Sequence, residues 1–277
     1  MKILYITDIH GSRWKYEKIL EVVDNLEISI VINGGDMLPF GDFLNQDKFI
    51  KNFLNSHFSE FNDRKIYYLA MLANDDLIIY DELFNTICNK YKYIISIAQQ
   101  RFKFQKYEFI GMNLVSDLPF ALKDRARKDT KNFILPRQFG TAMISTLKGW
   151  KKIPDWYSYV STLPTIEEEL ENLIVPDDFR DTIYIIHIPP ANIGLDICQD
   201  GRKVGSIAVY NFLLKHQPLL TLHGHIHESP EISNKWFVYL NQTLCIQPGQ
   251  SNFHENYVKY VKIDLETLNI EIFKLTK

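Results

Sequence analysis

Lys2-Ile3-Leu4-Tyr5-Ile6-Thr7-Asp8-Ile9-His10 opens the chain and sets its reading. The short β-branched and aromatic run at 3–6 predicts a buried strand ending at Thr7-Asp8. Behind it Ile19, Leu20, Val22, Val23 and Leu26 fall on one helical face. Residues 28–32 predict a second strand, closed by Asn33-Gly34-Gly35-Asp36. Phe49, Ile50, Phe53 and Leu54 mark another amphipathic helix, and 66–72 a third strand. Residues 77–87 read as helix, with Asp75 or Asp76 as its N-cap. This alternation predicts βαβ units, a largely parallel sheet and a mixed α/β fold.

The second half is patterned differently. Residues from about 111 to 181 form a long stretch of weaker pattern, with several Pro and Trp and a charge run at 123–131. Inside it Thr165-Ile166-Glu167-Glu168 is a capping box opening a helix over 165–173. Runs at 183–186 and 219–222 predict buried strands flanking a helix from about 206 to 215. The tail predicts strands at 236–240, 243–247, 257–263 and 268–275, the last two an antiparallel hairpin at a sheet edge. No repeat or linker divides the chain. We therefore expect one domain over 1–277, with an insertion at about 111–181 that caps an active site.

The 277 residues include 31 Lys plus Arg against 34 Asp plus Glu, and 46% are hydrophobic. Those proportions exclude wholesale disorder, and the length is enough to bury a sizeable core. The slightly acidic balance argues against a surface coated for nucleic acid. Cys88, Cys198 and Cys245 form no CxxC pair, so a disulfide framework is not expected, and a reducing cytoplasm is the simplest compartment. The N-terminus is too short and polar for a signal peptide, and nowhere do eighteen apolar residues run together.

Five clusters hold an unusual share of the candidate metal ligands: Asp8-Ile9-His10, Gly35-Asp36, Asn74-Asp75-Asp76, His187 and Gly224-His225-Ile226-His227. Each follows directly on an apolar run. Groups just past the carboxyl ends of strands in open α/β sheets converge on one crevice, so these distant residues can meet. Singly, most have plainer readings as turns, a helix cap or a core histidine. Gly-His-x-His resists that, because imidazoles two apart project to one side of extended chain. Five clusters together, all at strand ends, make the plain readings hard to keep.

The ordered set Asp-x-His, Gly-Asp, Asn, His, Gly-His-x-His resembles the calcineurin-like metallophosphoesterase family. The resemblance implies two mixed β-sheets stacked face to face and flanked by helices. It implies a two-metal site in which Asp8, His10, Asp36 and His227 hold one ion. Asp36, Asn74, His187 and His225 would hold the other, with Asp36 bridging. Nitrogen and oxygen donors without thiolate suit divalent or trivalent Mn, Fe or Zn. The implied chemistry is phosphoester hydrolysis by a metal-bridging hydroxide attacking phosphorus in line. Asp36, Asn74 and Asp75 are the positions it marks as catalytic.

One element departs from the family pattern. The usual Gly-Asn-His-Asp/Glu is here Ala73-Asn74-Asp75-Asp76, so a carboxyl replaces a histidine that assists the leaving oxygen. Neighbouring carboxylates raise its pKa and two cations lower it, and the cations are expected to win. An ionised Asp75 donates no proton. The expectation is therefore a small phosphodiester or another substrate with a good leaving group, or else a second acid. His223 and His254 are candidates for that acid, although each reads as readily as a surface or supporting histidine.

Segments resembling one branch of the family, His187-Ile188-Pro189-Pro190 and Gly224-His225-Ile226-His227-Glu228, also point to small phosphodiesters, nucleotides among them. The helix from about Ser206 could offer backbone N–H groups to an anion, unless Ser206 simply caps it. Lys123, Arg125, Arg127, Lys128 and Arg137 could reach phosphate oxygens, though a solvated charged loop is the plainer reading. Trp150, Trp156, Tyr157 and Tyr159 could stack a base or pack under a loop. Two alternatives stand beside the phosphodiesterase: a nuclease of the same family, and a non-catalytic scaffold that keeps the fold for protein contacts. Filled ligand positions weigh against the scaffold, and the charge balance weighs against extended nucleic-acid binding and the nuclease.

Overall fold

A computed structural model describes residues 1–40, 42–250 and 256–277. In chain order the first unit is β1 (Lys2–Ile6), α1 (Arg13–Asp24), β2 (Ile30–Asn33) and α2 (Phe43–Lys48). A π-helical stretch, Phe49–Leu54, carries α2 directly into α3 (Asn55–Asp63), which leads to β3 (Tyr67–Ala70). After α4 (Asp81–Cys88) come β4 (Ile94–Ser96), β5 (Arg101–Phe104) and β6 (Tyr107–Met112). The following segment holds β7 (Val115–Ser116), β8 (Ala126–Arg127), β9 (Ala142–Thr146), β10 (Gly149–Ile153), α5 (Trp156–Val160) and α6 (Ile166–Glu171). The chain closes with β11 (Thr182–Ile186), α7 (Ile207–His216), β12 (Leu220–Leu222), α8 (Ser229–Ser233), β13 (Phe237–Leu240), β14 (Thr243–Ile246), β15 (Tyr257–Asp264) and β16 (Asn269–Thr276).

Two six-stranded sheets result, ordered β16-β15-β1-β2-β3-β4 and β13-β14-β12-β11-β6-β5. The first is parallel from β1 to β4 and ends in the expected antiparallel hairpin of β15 and β16. The second is parallel across β14, β12, β11 and β6, with antiparallel edges at β13 and β5. Alternate residues explain why the strands read as unbroken apolar runs. Ile3 and Tyr5 of β1 pack with Ile183, Ile185, Leu220 and Leu222 in the core between the sheets. Leu4 and Ile6 turn the other way, onto Tyr16 and Ile19 of α1 and Phe58 of α3. Behind the second sheet, Tyr184 and Ile186 pack with Ala208, Val209 and Leu213 of α7. The mixed α/β architecture with helices flanking two sheets is the one anticipated.

Seven strands, β4 to β10, escaped the sequence pattern, and among them β6 lies inside the second sheet. Gly111, where the insertion was expected to open, lies inside β6, and the intervening segment starts beyond Met112. Its close pairing requires glycine, since a Cβ there would meet the Ile97 carbonyl oxygen at 2.4 Å. The capping box forms as expected: Thr165 Oγ1 accepts from the Glu168 N–H while the Glu168 carboxylate accepts from the Thr165 N–H. The cap expected ahead of α4 does not. The Asp76 carboxylate accepts instead from the N–H groups of Met37, Leu38 and Ala73, tying the loop after β2 to the loop after β3. No helix among the described residues is long and apolar enough to cross a membrane, and the three cysteines are free thiols.

Candidate metal centre

All five clusters sit just past the carboxyl ends of β1, β2, β3, β11 and β12. The loops are laced to one another by backbone hydrogen bonds. Asp8 N–H donates to the Gly35 carbonyl at 3.0 Å, His10 N–H to the Asp36 carbonyl at 2.9 Å, and Gly224 N–H to the His187 carbonyl at 2.9 Å. Four of the side chains come from residues with left-handed backbone: Asp8 at φ 55°, His10 at 46°, Asp36 at 51° and His225 at 72°. Such conformations cost non-glycine residues free energy and persist where surrounding structure enforces them. Gly224 shows how tight the site is. A Cβ there would fall 2.2 Å from Thr7 Oγ1 and 2.5 Å from Asp8 Oδ2.

Single ligand atoms from Asp8, His10, Asp36 and His227 lie within 4.8 Å of one another, and so do those from Asp36, His187 and His225. His10 Nε2 and His227 Nε2 approach to 3.1 Å, and His227 Nε2 stands 3.3 Å from Asp8 Oδ1. His187 Nε2 is 3.3 Å from Asp36 Oδ2. Its other nitrogen, Nδ1, lies 2.9 Å from the Gly34 carbonyl oxygen. An N–H at Nδ1 fits that contact and turns a lone pair at Nε2 toward the carboxylates. Both Asp8 oxygens accept from the His225 N–H, at 3.0 and 3.2 Å, and Asp36 Oδ1 accepts from the Asp75 N–H at 2.9 Å. Phe40 lies flat on His10, ring centroids 4.5 Å apart and planes within 5°.

Buried polar atoms without hydrogen-bond partners include His187 Nε2, His225 Nε2 and Asn74 Oδ1. Buried polar groups are ordinarily paired, so orphan lone pairs within a nest of carboxylates are what a bound cation would satisfy. The donor set thus fits transition-metal ions. Charge distribution agrees. Burial works to raise the Asp8 carboxyl, but His227, His187 and His10 carry it well below the usual range. Asp36 is likewise held down to about 2, where burial is outweighed chiefly by His187. Burial lowers His225 to about 3 and His10 to about 4. For His187 burial is outweighed by Asp36, which lifts it to about 9. Without a cation Nε2 therefore holds a proton against Asp36, and a bound cation would take the place of that proton. For Asp75, burial and then the charges of Asp36 and Asp76 push the carboxyl up to about 8, the expected effect of neighbouring carboxylates, and bound cations would pull it back down.

Other expected participants are placed elsewhere. His223 is buried with both nitrogens engaged, Nδ1 on the carbonyls of Ile186 and Ile188 and Nε2 on Thr221 Oγ1. It is a supporting core histidine, not an acid facing the site. His254 lies outside the described residues. The N-terminus of α7 is already occupied by an anion belonging to the chain. Asp129 accepts from the N–H groups of Ile207 and Ala208 and from the hydroxyls of Ser116 and Ser206. Ser206 also caps α7, accepting from the Val209 N–H.

Lys123 and Arg125 are neither solvated nor free for phosphate. Lys123 pairs with Asp117 in full burial, and Arg125 pairs with Asp81 and donates to the Ala73 carbonyl at 2.9 Å. Arg127 stands 3.9 Å from Glu169, Lys128 donates to the Lys131 carbonyl, and Arg137 is exposed. The four aromatics take structural places. Trp156 is buried and stacks with Tyr159, Trp150 meets Phe43 edge-on, and the Tyr157 hydroxyl donates to the Pro136 carbonyl. Two aromatics not singled out from the sequence, Phe40 and Phe120, line a cavity of about 310 Å³ beside Asp36, Asn74 and Asp75.

Comparison with known proteins places this arrangement. One solved structure aligns over 99% of both chains at TM-score 0.64 and 17% identity. Another, the TT1561 protein of Thermus thermophilus, aligns over 98% of this chain and 97% of its own at TM-score 0.60 and 14% identity. At such identities the likeness speaks for the fold alone. No curated protein matches the chain in sequence. The model of the calcineurin-like phosphoesterases matches residues 1–229, a stretch that runs from the first strand past His227 and takes in all five clusters. By that match the chain belongs to the calcineurin-like phosphoesterase family, metal-dependent hydrolases of phosphoesters.

Proposed function

We propose that this hydrolase is a two-metal phosphodiesterase for small substrates and that residues 1–277 form its single domain. Asp8, His10, Asp36 and His227 hold one cation; Asp36, Asn74, His187 and His225 hold the other. The observation that carries this reading is the pair of ligand groups sharing Asp36. When bound, two ions of Mn, Fe or Zn supply the charge that activates water and neutralises phosphoryl oxygens. The chain's own part is to hold the donors ready. The Gly34 carbonyl fixes the His187 tautomer, Asp8 ties down the His225 backbone, and Phe40 keeps the His10 ring in plane.

Asp75 stands with its carboxylate 3.9 Å from His10 Nδ1. Ionised beside cations, it gives no proton to a departing alkoxide, which favours a diester whose leaving group departs unaided. Small nucleotide diesters fall in that class. The burial of Lys123 and Arg125 in internal ion pairs removes two cations that a nuclease would turn toward a polyanion. Free thiols suit a reducing cytoplasm. The test is release of nitrophenol from bis(p-nitrophenyl) phosphate by manganese-loaded protein. Asp36→Asn should abolish it, and undiminished activity in that variant refutes the proposal.

A further inference from the structure

Two cavities open on the ligand cluster and share the same boundary. The larger is about 590 Å³ and the smaller about 310 Å³, sizes that small-molecule sites commonly have. His225 and His227 line both, and so do Leu118 and Phe120 from the segment after β6. A group held at the histidines therefore has space on two sides. Both linings are largely apolar, and Phe120 belongs to the two. The smaller adds a second phenyl ring, Phe40, with Val115, Leu122 and Ala126 beside Asp36, Asn74 and Asp75. The larger adds no second phenyl ring and carries Asp200, Arg202 and Glu228.

Phe120 stands out in both linings. It is 59% exposed, stands edge-on to Phe139 with ring centroids 5.8 Å apart, and belongs to none of the packed apolar clusters. A large ring that lines a cavity beside the ligand cluster offers a bound group flat apolar contact area. We infer that the smaller cavity receives an aromatic ester arm of the substrate, packed against Phe120, while the larger receives the other arm. This rests on the phosphodiesterase reading, which puts phosphorus at the histidines common to both. A monoester would leave one cavity unused. Phe120 then selects the substrate by touching its arm, away from the reacting atoms.

Binding reads this contact directly, provided that the diester is recovered intact after the titration. Calorimetry on manganese-loaded protein should show diphenyl phosphate binding about tenfold more tightly than dimethyl phosphate, the effect of one good aromatic contact. Phe120→Ala should erase most of that ratio, Phe120→Tyr should keep it, and the exposed position leaves the core untouched in both. Equal binding of the two anions, no binding of either, or a preference that survives Phe120→Ala overturns the inference. Turnover of bis(p-nitrophenyl) phosphate separates this failure from that of the underlying reading. Its hydrolysis by a protein that binds diphenyl and dimethyl phosphate equally sinks the Phe120 assignment alone. Aryl-selective binding with no hydrolysis keeps Phe120 and sinks the phosphodiesterase.

Discussion

His57, on α3, gives a stability prediction whose size follows from its surroundings. The ring sits among Tyr16, Phe53, Phe58, Phe61 and Tyr68, and its Nε2 has no hydrogen-bond partner. Burial, helped by the charge of Arg64, lowers its pKa to about 3 from the ordinary 6.5. The folded protein thus refuses a proton that the unfolded chain accepts. Stability from this residue is complete above pH 6.5 and is lost as pH falls below it. Linkage puts the loss between pH 7 and pH 5 at about 2 kcal/mol, whatever the folded value below 4. The assay is urea unfolding at both pH values for the native chain and His57→Phe. Any packing change in the variant acts equally at both, so the quantity compared is each protein's drop in stability. The variant should drop by about 2 kcal/mol less. Equal drops would mean that His57 is protonated within the folded protein, and the argument from burial would be wrong.

Other expectations follow from particular contacts. Asp129→Ala strips the start of α7 of its acceptor and leaves two buried hydroxyls short of a partner; a loss of about 2–3 kcal/mol should appear in unfolding midpoints, with faster proteolysis between 113 and 181. Gly224→Ala drives a methyl group into Thr7 and Asp8, so metal content by elemental analysis should fall below that of the native protein while helicity is kept. Thr165→Ala breaks the capping box at a cost of about 1 kcal/mol, visible as a lower urea midpoint with unchanged turnover. Added manganese should raise the melting temperature progressively above the dissociation constant, because only the folded chain gathers the ligands; a flat response would count against the site.

Strands buried on both faces were legible because no charged residue interrupts them, as in β1, β2, β11 and β12. The same logic hid β6, where Glu108 breaks the run. Its charge is tolerated because Arg101 and the Asp177 N–H meet it, partners that only the folded chain supplies. The ligand clusters were legible from position, since strand ends converge whatever lies between them. Partners of the insertion were not. A charge run looks solvated until Asp117 and Asp81 are seen to bury Lys123 and Arg125. Nor does periodicity mark Phe40 or Phe120, since a cavity wall is assembled from loops that share no spacing. Asp129 was invisible for the same reason, its acceptors being satisfied by residues 13 to 79 positions away.

The seating of Asp129 on α7 bears on how the enzyme retains its substrate. A dipole able to grip phosphate is neutralised from within, and Arg125, beside the smaller cavity, is bound to Asp81. On the two-metal proposal, attraction for the phosphoryl group would then fall chiefly to the cations themselves. Capture and activation become a single event: stripped of its ions, the protein should lose its hold on phosphate together with its power to cleave.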